Sequence, residues 1–373
     1  MKVKELNEFE SLKNQWNSLL KNSTIDNNIF LTWEWLSTWW KHCGKERKLL
    51  ILTVEEANKV LAIAPLMLSK YKTKRFGNIS KVEFLGVPHS DYNNFIILDK
   101  EKDCLRNIIN YLKYEVSGWN WIELREIAES TLTAKLLKEI FLDSPIKLRK
   151  TERVFDICPY ISLPESSDIF MKELHRKLRR NLNSSLKRLQ QSFSVEFKNY
   201  KDFGFSVDEA MRLFVKLHEM RWKERGLPGA FVKEGSAFKD FHLSVAKCLA
   251  ENGWLGLYFL TLNDEPVSAL YGFEYGQKLY YYLSGFDPKY SSYSIGSVSI
   301  LFLIEECIKR SFREFDMMRG AHAYKNQWTN TYRRNFEIRL AQPTPFNMFY
   351  EFYEWILEIR RRASGASSGS TEN

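Results

Sequence analysis

The sequence has little of what would narrow its chemistry at once. Its five cysteines, Cys43, Cys104, Cys158, Cys248 and Cys307, are odd in number and irregularly spaced, and none forms a C-x-x-C pair. That argues against a disulfide framework and against a thiolate zinc site. The six histidines include no H-E-x-x-H spacing, so no metal is expected. No apolar run approaches the roughly 18 residues of a membrane-spanning helix. The opening stretch Met1-Lys2-Val3-Lys4-Glu5-Leu6 lacks a continuous apolar core of the kind a leader has. The expectation is a cytoplasmic protein without integral membrane association. The end, residues 363–373, has nothing to bury and is expected to be disordered.

What is present is globular. The chain has 373 residues, of which 44% are hydrophobic, 27% charged and 15% aromatic, enough for two domains of ordinary size. A net charge of +9 asks for an anionic partner, and coenzyme A, a sugar nucleotide, an acidic carrier protein, RNA and anionic lipid all qualify. Periodicity predicts a helix over 7–22, strands over 49–54 and 60–68, strands near 81–85 and 95–98, a helix near 102–116 and a strand at 121–124. A helix near 131–142 and strands around 146–149 and 154–163 come next, closing at Pro164. Trp33, Trp35, Trp39 and Trp40 are read as core. The run Lys70-Tyr71-Lys72-Thr73-Lys74-Arg75 is read as a solvated loop. Hairpin strands mixed with helices mean α+β rather than a doubly wound sheet.

Ser166-Ser167-Asp168 offers N-cap oxygens for a helix reaching about Gln191. One face is apolar, and the other carries Arg176, Lys177, Arg179, Arg180, Lys187 and Arg188, either as a solvated face or as a phosphate site, since guanidinium forks match phosphate oxygens. Beyond a strand at 194–199 and helices near 207–222 and 235–251 comes a three-strand meander over 255–262, 267–273 and 278–284. The loop 289–297 leads into a helix, and a second strand lies at 314–318. Strand, polar loop with Gly296, helix, strand predicts two parallel neighbours with backbone N–H groups at a positive helix end. Ligands collect beyond the carboxyl ends of such strands, so the 284–297 loop and the 319–328 segment are expected to line one cleft. The second half echoes the first, which predicts two copies of one α+β unit, and a last helix spans about 346–362.

The run Ser284-Gly285-Phe286-Asp287-Pro288, the loop to Gly296, and Phe315-Asp316-Met317-Met318-Arg319-Gly320 followed by Tyr324-Lys325 and Trp328 resemble the acetyltransferase domain of the CelD-like branch of the GNAT superfamily. Trp33-Glu34-Trp35-Leu36, Ala64-Pro65-Leu66 and Asp91-Tyr92-Asn93 resemble its amino-terminal half, and Lys177 to Leu182 resembles a helix start in FemAB-like transferases. The resemblance implies tandem GNAT-like domains, each a mixed, mostly antiparallel sheet flanked by helices. The divisions expected are 1–164, an acyltransferase domain over 165–345, the helix 346–362 and the tail 363–373. It also implies an N-acyltransferase that uses acetyl-CoA or another acyl-CoA, acting on an amine of a sugar or other cell-envelope precursor. Because the loop has one clear glycine, donors carried on an acyl carrier protein or on tRNA stay open, and an anion-binding scaffold is the non-enzyme alternative.

Acyl transfer needs a donor site, a polarised carbonyl and proton handling. Ser284, Gly285, Phe286, Tyr293, Ser294, Gly296 and Ser297 are the candidates for the donor. Tyr324 is the candidate acid for a leaving thiolate, with Asp287 and His322 as candidate bases and Asp316 as an orienting or catalytic carboxylate. Arg319, Lys325 and Trp328 are candidates for an anionic acceptor with a flat or sugar face, joined by Arg176, Arg179 and Arg180 and by Asp91 and Tyr92. The alternative for Asp91 to Asn93 is a turn held by Asx bonding.

Overall fold

The computed structural model describes residues 1–6, 9–24, 27–73, 75–142, 149–320, 322–342 and 344–363. Two compact units are present, one of residues 1–157 with 333–373 and the other of residues 158–332.

The first unit begins with a strand that the sequence pattern does not predict, β1 (Lys2–Leu6). The predicted first helix is shorter, α1 (Lys13–Lys21), and α2 (Trp33–Cys43) holds the tryptophan run. The Thr32 side chain caps α2 by accepting from the Trp35 N–H. Trp35, Leu36 and Trp39 recur at helical spacing and are fully buried, as is Trp16, whose Nε1 donates to the Leu31 carbonyl at 2.8 Å. Then come β2 (Lys48–Glu56), β3 (Lys59–Thr73), β4 (Gly77–Phe84), the short β5 (Ile96–Ile97), α3 (Glu101–Tyr114), β6 (Trp121–Ala128), α4 (Leu132–Leu142) and β7 (Arg149–Ser162). In the sheet order β1-β2-β3-β4-β6, all pairs are antiparallel except β4 with β6, which run parallel across α3 from Lys81↔Trp121 to Glu83↔Glu123. Of the strand expected around 146–149, residues 146–148 lie outside the described residues.

In the second unit the single basic helix expected from 168 to 191 is two helices, α5 (Ser167–Glu173) and α6 (Arg176–Ser192). Leu174 and His175 take extended ψ values and break the run, and the His175 ring caps α6 by accepting from the Lys177 N–H. Next are β8 (Val195–Asn199), α7 (Val207–Glu224), α8 (Ala230–Lys233), α9 (Ser236–Glu251), β9 (Leu255–Leu262), β10 (Glu265–Tyr275), β11 (Lys278–Phe286), α10 (Ile295–Lys309) and β12 (Glu314–Asp316). A reciprocal capping box between Ser206 and Glu209 starts α7. The sheet runs β12-β11-β10-β9-β8, with the carboxyl end of β7 pairing β12. The predicted parallel pair is present: Lys278, Leu279 and Tyr280 face Glu314, Phe315 and Asp316. One core lies between α10, β11 and β12, with Leu279, Tyr281, Ile304, Phe315 and Met317 buried in it.

The chain then returns to the first unit through β13 (Tyr332–Ala341) and α11 (Pro345–Ala363). The sequence division at 345 therefore gives way to one at about 333. The cause is strand pairing, because β13 adds antiparallel to β6 from Asn335↔Ala128 to Ala341↔Trp121 and buries Phe336, Ile338 and Leu340 there. Residues 364–373, expected to be disordered, lie outside the described residues. Both units are α+β with mixed sheets and flanking helices. Among the described residues no helix is long and apolar enough to cross a membrane, and no group of three or more His, Cys, Asp or Glu side chains forms a metal-binding cluster.

Candidate active site

The parallel ladder of β11 and β12 is only three residues long, and beyond it the two strands no longer pair. Past Tyr280, β11 continues along β10 to Phe286, interrupted by a bulge beside Tyr271 and Gly272. Past Asp316 the chain leaves the sheet: the Asp316 Oδ1 accepts from the Met318 N–H at 2.8 Å, and Met318 sits at φ +62°. That local bond ends β12 two residues earlier than the pattern predicts. Gly320 at φ +97° then turns the segment, and a Cβ there would come within 2.7 Å of the His322 ring.

Helix α7 closes one side of the opening. At Gly285 a Cβ would stand 2.2 Å from the His218 N, so glycine is what lets α7 lie on β11 backbone to backbone. His218 is buried with both ring nitrogens engaged: its Nε2 accepts from the Ala230 N–H at 3.1 Å, which leaves Nδ1 to donate to the Ser284 carbonyl at 2.8 Å. Burial pushes its pKa down to about 4, so the ring is a neutral strut and not a titrating base near pH 7.

One turn along α7, the Arg221 Nη1 donates to the Ser284 Oγ at 2.7 Å. The Tyr281 hydroxyl donates to the same Oγ at 2.7 Å, and the Tyr324 and Tyr281 hydroxyls are hydrogen-bonded to each other. The guanidinium of Arg221 also lies 5.1 Å from the centre of the Phe286 ring. Tyr281 is buried, and Tyr324, 37% exposed as a residue, turns its hydroxyl inward to Tyr281, so a chain of hydroxyls links Tyr324 through Tyr281 to Ser284. Burial raises the Tyr324 phenol above its usual range, the nearby Tyr281 adds to that, and Arg221 and Arg225 oppose it. The phenol is protonated at neutral pH, and a phenolate formed there would face two guanidinium groups.

The loop after β11 is more ordered than expected. Asp287 caps a 3-10 turn over Pro288–Tyr293 by accepting from the Lys289 N–H at 3.0 Å, with the Lys289 Nζ 3.5 Å from its other oxygen. Ser294 is left-handed, and its carbonyl takes the N–H groups of Ser297 and Val298, so the amides of Ile295 and Gly296 stand at the open end of α10. A Cβ on Gly296 would touch the Phe286 ring at 3.3 Å. Arg188 of α6 reaches this loop, donating to the Ser292 carbonyl at 2.8 Å and lying 5.5 Å from the Tyr293 ring centre.

Several candidates have structural work instead. Lys325 is buried and donates to the carbonyls of Met318 and Arg319 at 3.1 and 2.6 Å, and so holds the 319–328 segment in place of an acceptor. Trp328 is buried and stacked on Phe170. Asp316 is buried in the turn that ends β12, and Asp287 is committed to its cap. Arg179 donates to the carbonyls of Met171 and Lys172, capping α5. His322 is half-buried and stacks parallel to Tyr324 with ring centres 6.1 Å apart, and Arg319 is half-buried beside it in the chain. Asp91 and Tyr92 are buried in the first unit, where the Asp91 carbonyl accepts from Asn335 at 2.6 Å. Arg176 and Arg180 remain exposed, and among the described residues no carboxylate pairs with either.

The opening therefore joins Ser284, Phe286, Gly296 and Tyr324 with Arg221, Tyr281 and His218, three residues that the sequence pattern does not single out. Alternation along β11 puts Tyr281 on the face of Leu279, which marks it as core, and nothing local to α7 marks Arg221.

Residues 176–326 match the family model described as "Acetyltransferase (GNAT) domain". A search of curated proteins by sequence finds no match. Among solved structures, FemX aligns with a TM-score of 0.62 at 12% identity, over 90% of this chain and 97% of that one. A conserved protein of unknown function from Bacteroides thetaiotaomicron aligns with a TM-score of 0.55 at 9% identity, over 91% and 100%. Residues 176–326 thus have the fold of a GNAT domain, and the fold of the chain resembles that of FemX.

Proposed function

We propose that the second unit is an N-acyltransferase, which moves an acyl group from a thioester, in the first instance acyl-CoA, to an amine on a sugar or other cell-envelope precursor in the cytoplasm. The observation that carries this is the run of hydroxyls from Tyr281 to Tyr324 at the parting of β11 and β12, inside the segment that matches a GNAT domain. In the reaction the amine attacks the thioester carbonyl, the C–N bond forms, the C–S bond breaks, and the departing thiolate takes the proton of Tyr324. The resulting phenolate is stabilised by Arg221 and Arg225 until the proton lost by the nitrogen returns through solvent. The open amides of Ile295 and Gly296, with Arg188 alongside, would take the donor's phosphates. CelD-like kinship and polysaccharide chemistry rest on the resemblance of the 284–328 motifs.

A second reading has its own support. Arg176, Lys177, Arg180 and Lys187 on α6 have no carboxylate within ion-pair reach among the described residues, an unneutralised face suited to a larger anionic donor such as an acyl carrier protein or a charged tRNA. Purified protein should cleave acyl-CoAs in the presence of amino-sugar acceptors. Turnover with acyl carrier protein or aminoacyl-tRNA alone would replace the first reading by the second, and no thioester or ester cleavage with any of them would leave an anion-binding scaffold.

A further inference from the structure

Helix α11 of the first unit carries a surface that the acyl-transfer reading does not use. Met348, Phe349, Phe352, Trp355 and Ile359 of α11 are each between 45 and 63% exposed. They succeed one another mostly at three- and four-residue steps, so they form a single apolar stripe along the helix. The neighbouring side of α11 is anchored: the Phe76 ring meets those of Phe346, Tyr350 and Tyr353, Tyr350 packs on Trp121, and Phe349 at the edge of the stripe also reaches Phe76. Phe76 ends the basic run 70–75, whose Arg75 guanidinium lies 5.3 Å from the Tyr353 ring centre. Lys70, Lys72 and Arg75 are exposed, and no carboxylate among the described residues is within ion-pair reach of them or of Arg360. The stretch from Ser364 to Asn373 includes no large apolar side chain that would cover the stripe.

We propose that α11 and the β3–β4 hairpin bearing Lys70, Lys72 and Arg75 together form a membrane-surface dock, in which the apolar stripe lies in the plane of an anionic bilayer while Lys70, Lys72, Arg75 and Arg360 meet its phosphates. An amphipathic helix with Trp and Phe on one face and cations beside it binds by that combination of apolar burial and charge. A second copy of the chain is the competing occupant. A symmetric pair would set the same cationic hairpin against its twin, whereas an anionic lipid surface complements it. The proposal is independent of the acyl-transfer reading.

The test is co-sedimentation of the full chain with vesicles of phosphatidylcholine alone and with vesicles enriched in phosphatidylglycerol. The wild type should partition onto the anionic vesicles, and less so as salt rises. Phe352→Ser with Trp355→Ser should weaken that partition by about tenfold or more. Lys70→Glu with Lys72→Glu, exposed positions on either side of the packed Tyr71, should weaken it by about tenfold and remove the salt dependence. Protein that stays in the supernatant with anionic vesicles, or binds neutral and anionic vesicles alike, overturns the proposal. So does a sedimenting dimer that the serine pair converts to monomer without any vesicle binding.

Discussion

The two units solve the same backbone problem and fill the result differently. In each, three rungs of parallel ladder join strands linked by a helix, β4 with β6 and β11 with β12. In each, an earlier helix presses on a glycine near the carboxyl end of the first of those strands, α2 through Leu36 at Gly86 and α7 through its backbone at Gly285. In the first unit α2 brings tryptophans to that place: the Trp35 Nε1 donates to the Ser90 Oγ and the Trp39 Nε1 to the His89 Nδ1, each at 2.9 Å, and Phe95 packs on Phe84. In the second, α7 brings Arg221 and His218, and a polar network of Ser284, Tyr281 and Tyr324 takes the place of the tryptophans. A parallel pair that parts makes a gap whichever unit it is in, and the side chains of the preceding helix decide whether the gap is core or site.

The contrast can be broken from either side. The largest effect is expected at Gly285→Ala, where the new methyl has to push α7 off β11. A misplacement on the order of 1 Å costs about 100-fold in turnover, and overpacking costs roughly 1–3 kcal/mol of stability, to be read by acyl-transfer kinetics and by urea unfolding. Next comes His218. Its folded pKa lies below the unfolded value, so its contribution is complete above pH 6.5 and is lost as pH falls towards 4. The loss amounts to about 3 kcal/mol between those limits. In His218→Gln the unfolding free energy should lose that part of its slope with pH, and an unchanged slope would mean that the ring is not held neutral. Trp35→Phe, the matching change in the first unit, removes one buried hydrogen bond to Ser90. It should cost about 1 kcal/mol of stability with turnover unaltered, and a change in kcat would mean that the first unit takes part in the reaction. The smallest effect is expected of Arg176→Ala with Arg180→Ala, a few-fold rise in the donor's Kd and a shallower salt dependence with stability unchanged. Arg179 is left out because it caps α5.

Much of this was legible in the sequence, because strand alternation and helix spacing are local. The β11–α10–β12 crossover and its parallel sense come from such patterns. The return of β13 to the first unit was not legible, since pairing with β6 is decided about 200 residues away in sequence. Nor were the roles of Lys325 and Trp328, because a cation on carbonyls and an indole on a core ring look from the sequence just like binding groups. Arg221 escaped for the opposite reason: on a helix with Arg212, Lys216, Lys223 and Arg225 close by, it is one base among many until Gly285 brings α7 against β11.

The central claim is that Tyr324 gives its proton to the leaving thiolate while the unit around it holds the donor. Tyr324→Phe keeps the ring on His322 and removes only the hydroxyl. With an acyl-CoA donor and an amine acceptor, kcat should fall on the order of 100-fold or more while the donor's Kd by calorimetry stays within about twofold of wild type. A phenylalanine variant whose kcat is within a few-fold of wild type would contradict the account, and the Tyr324–Tyr281–Ser284 chain would then be no more than a structural tie.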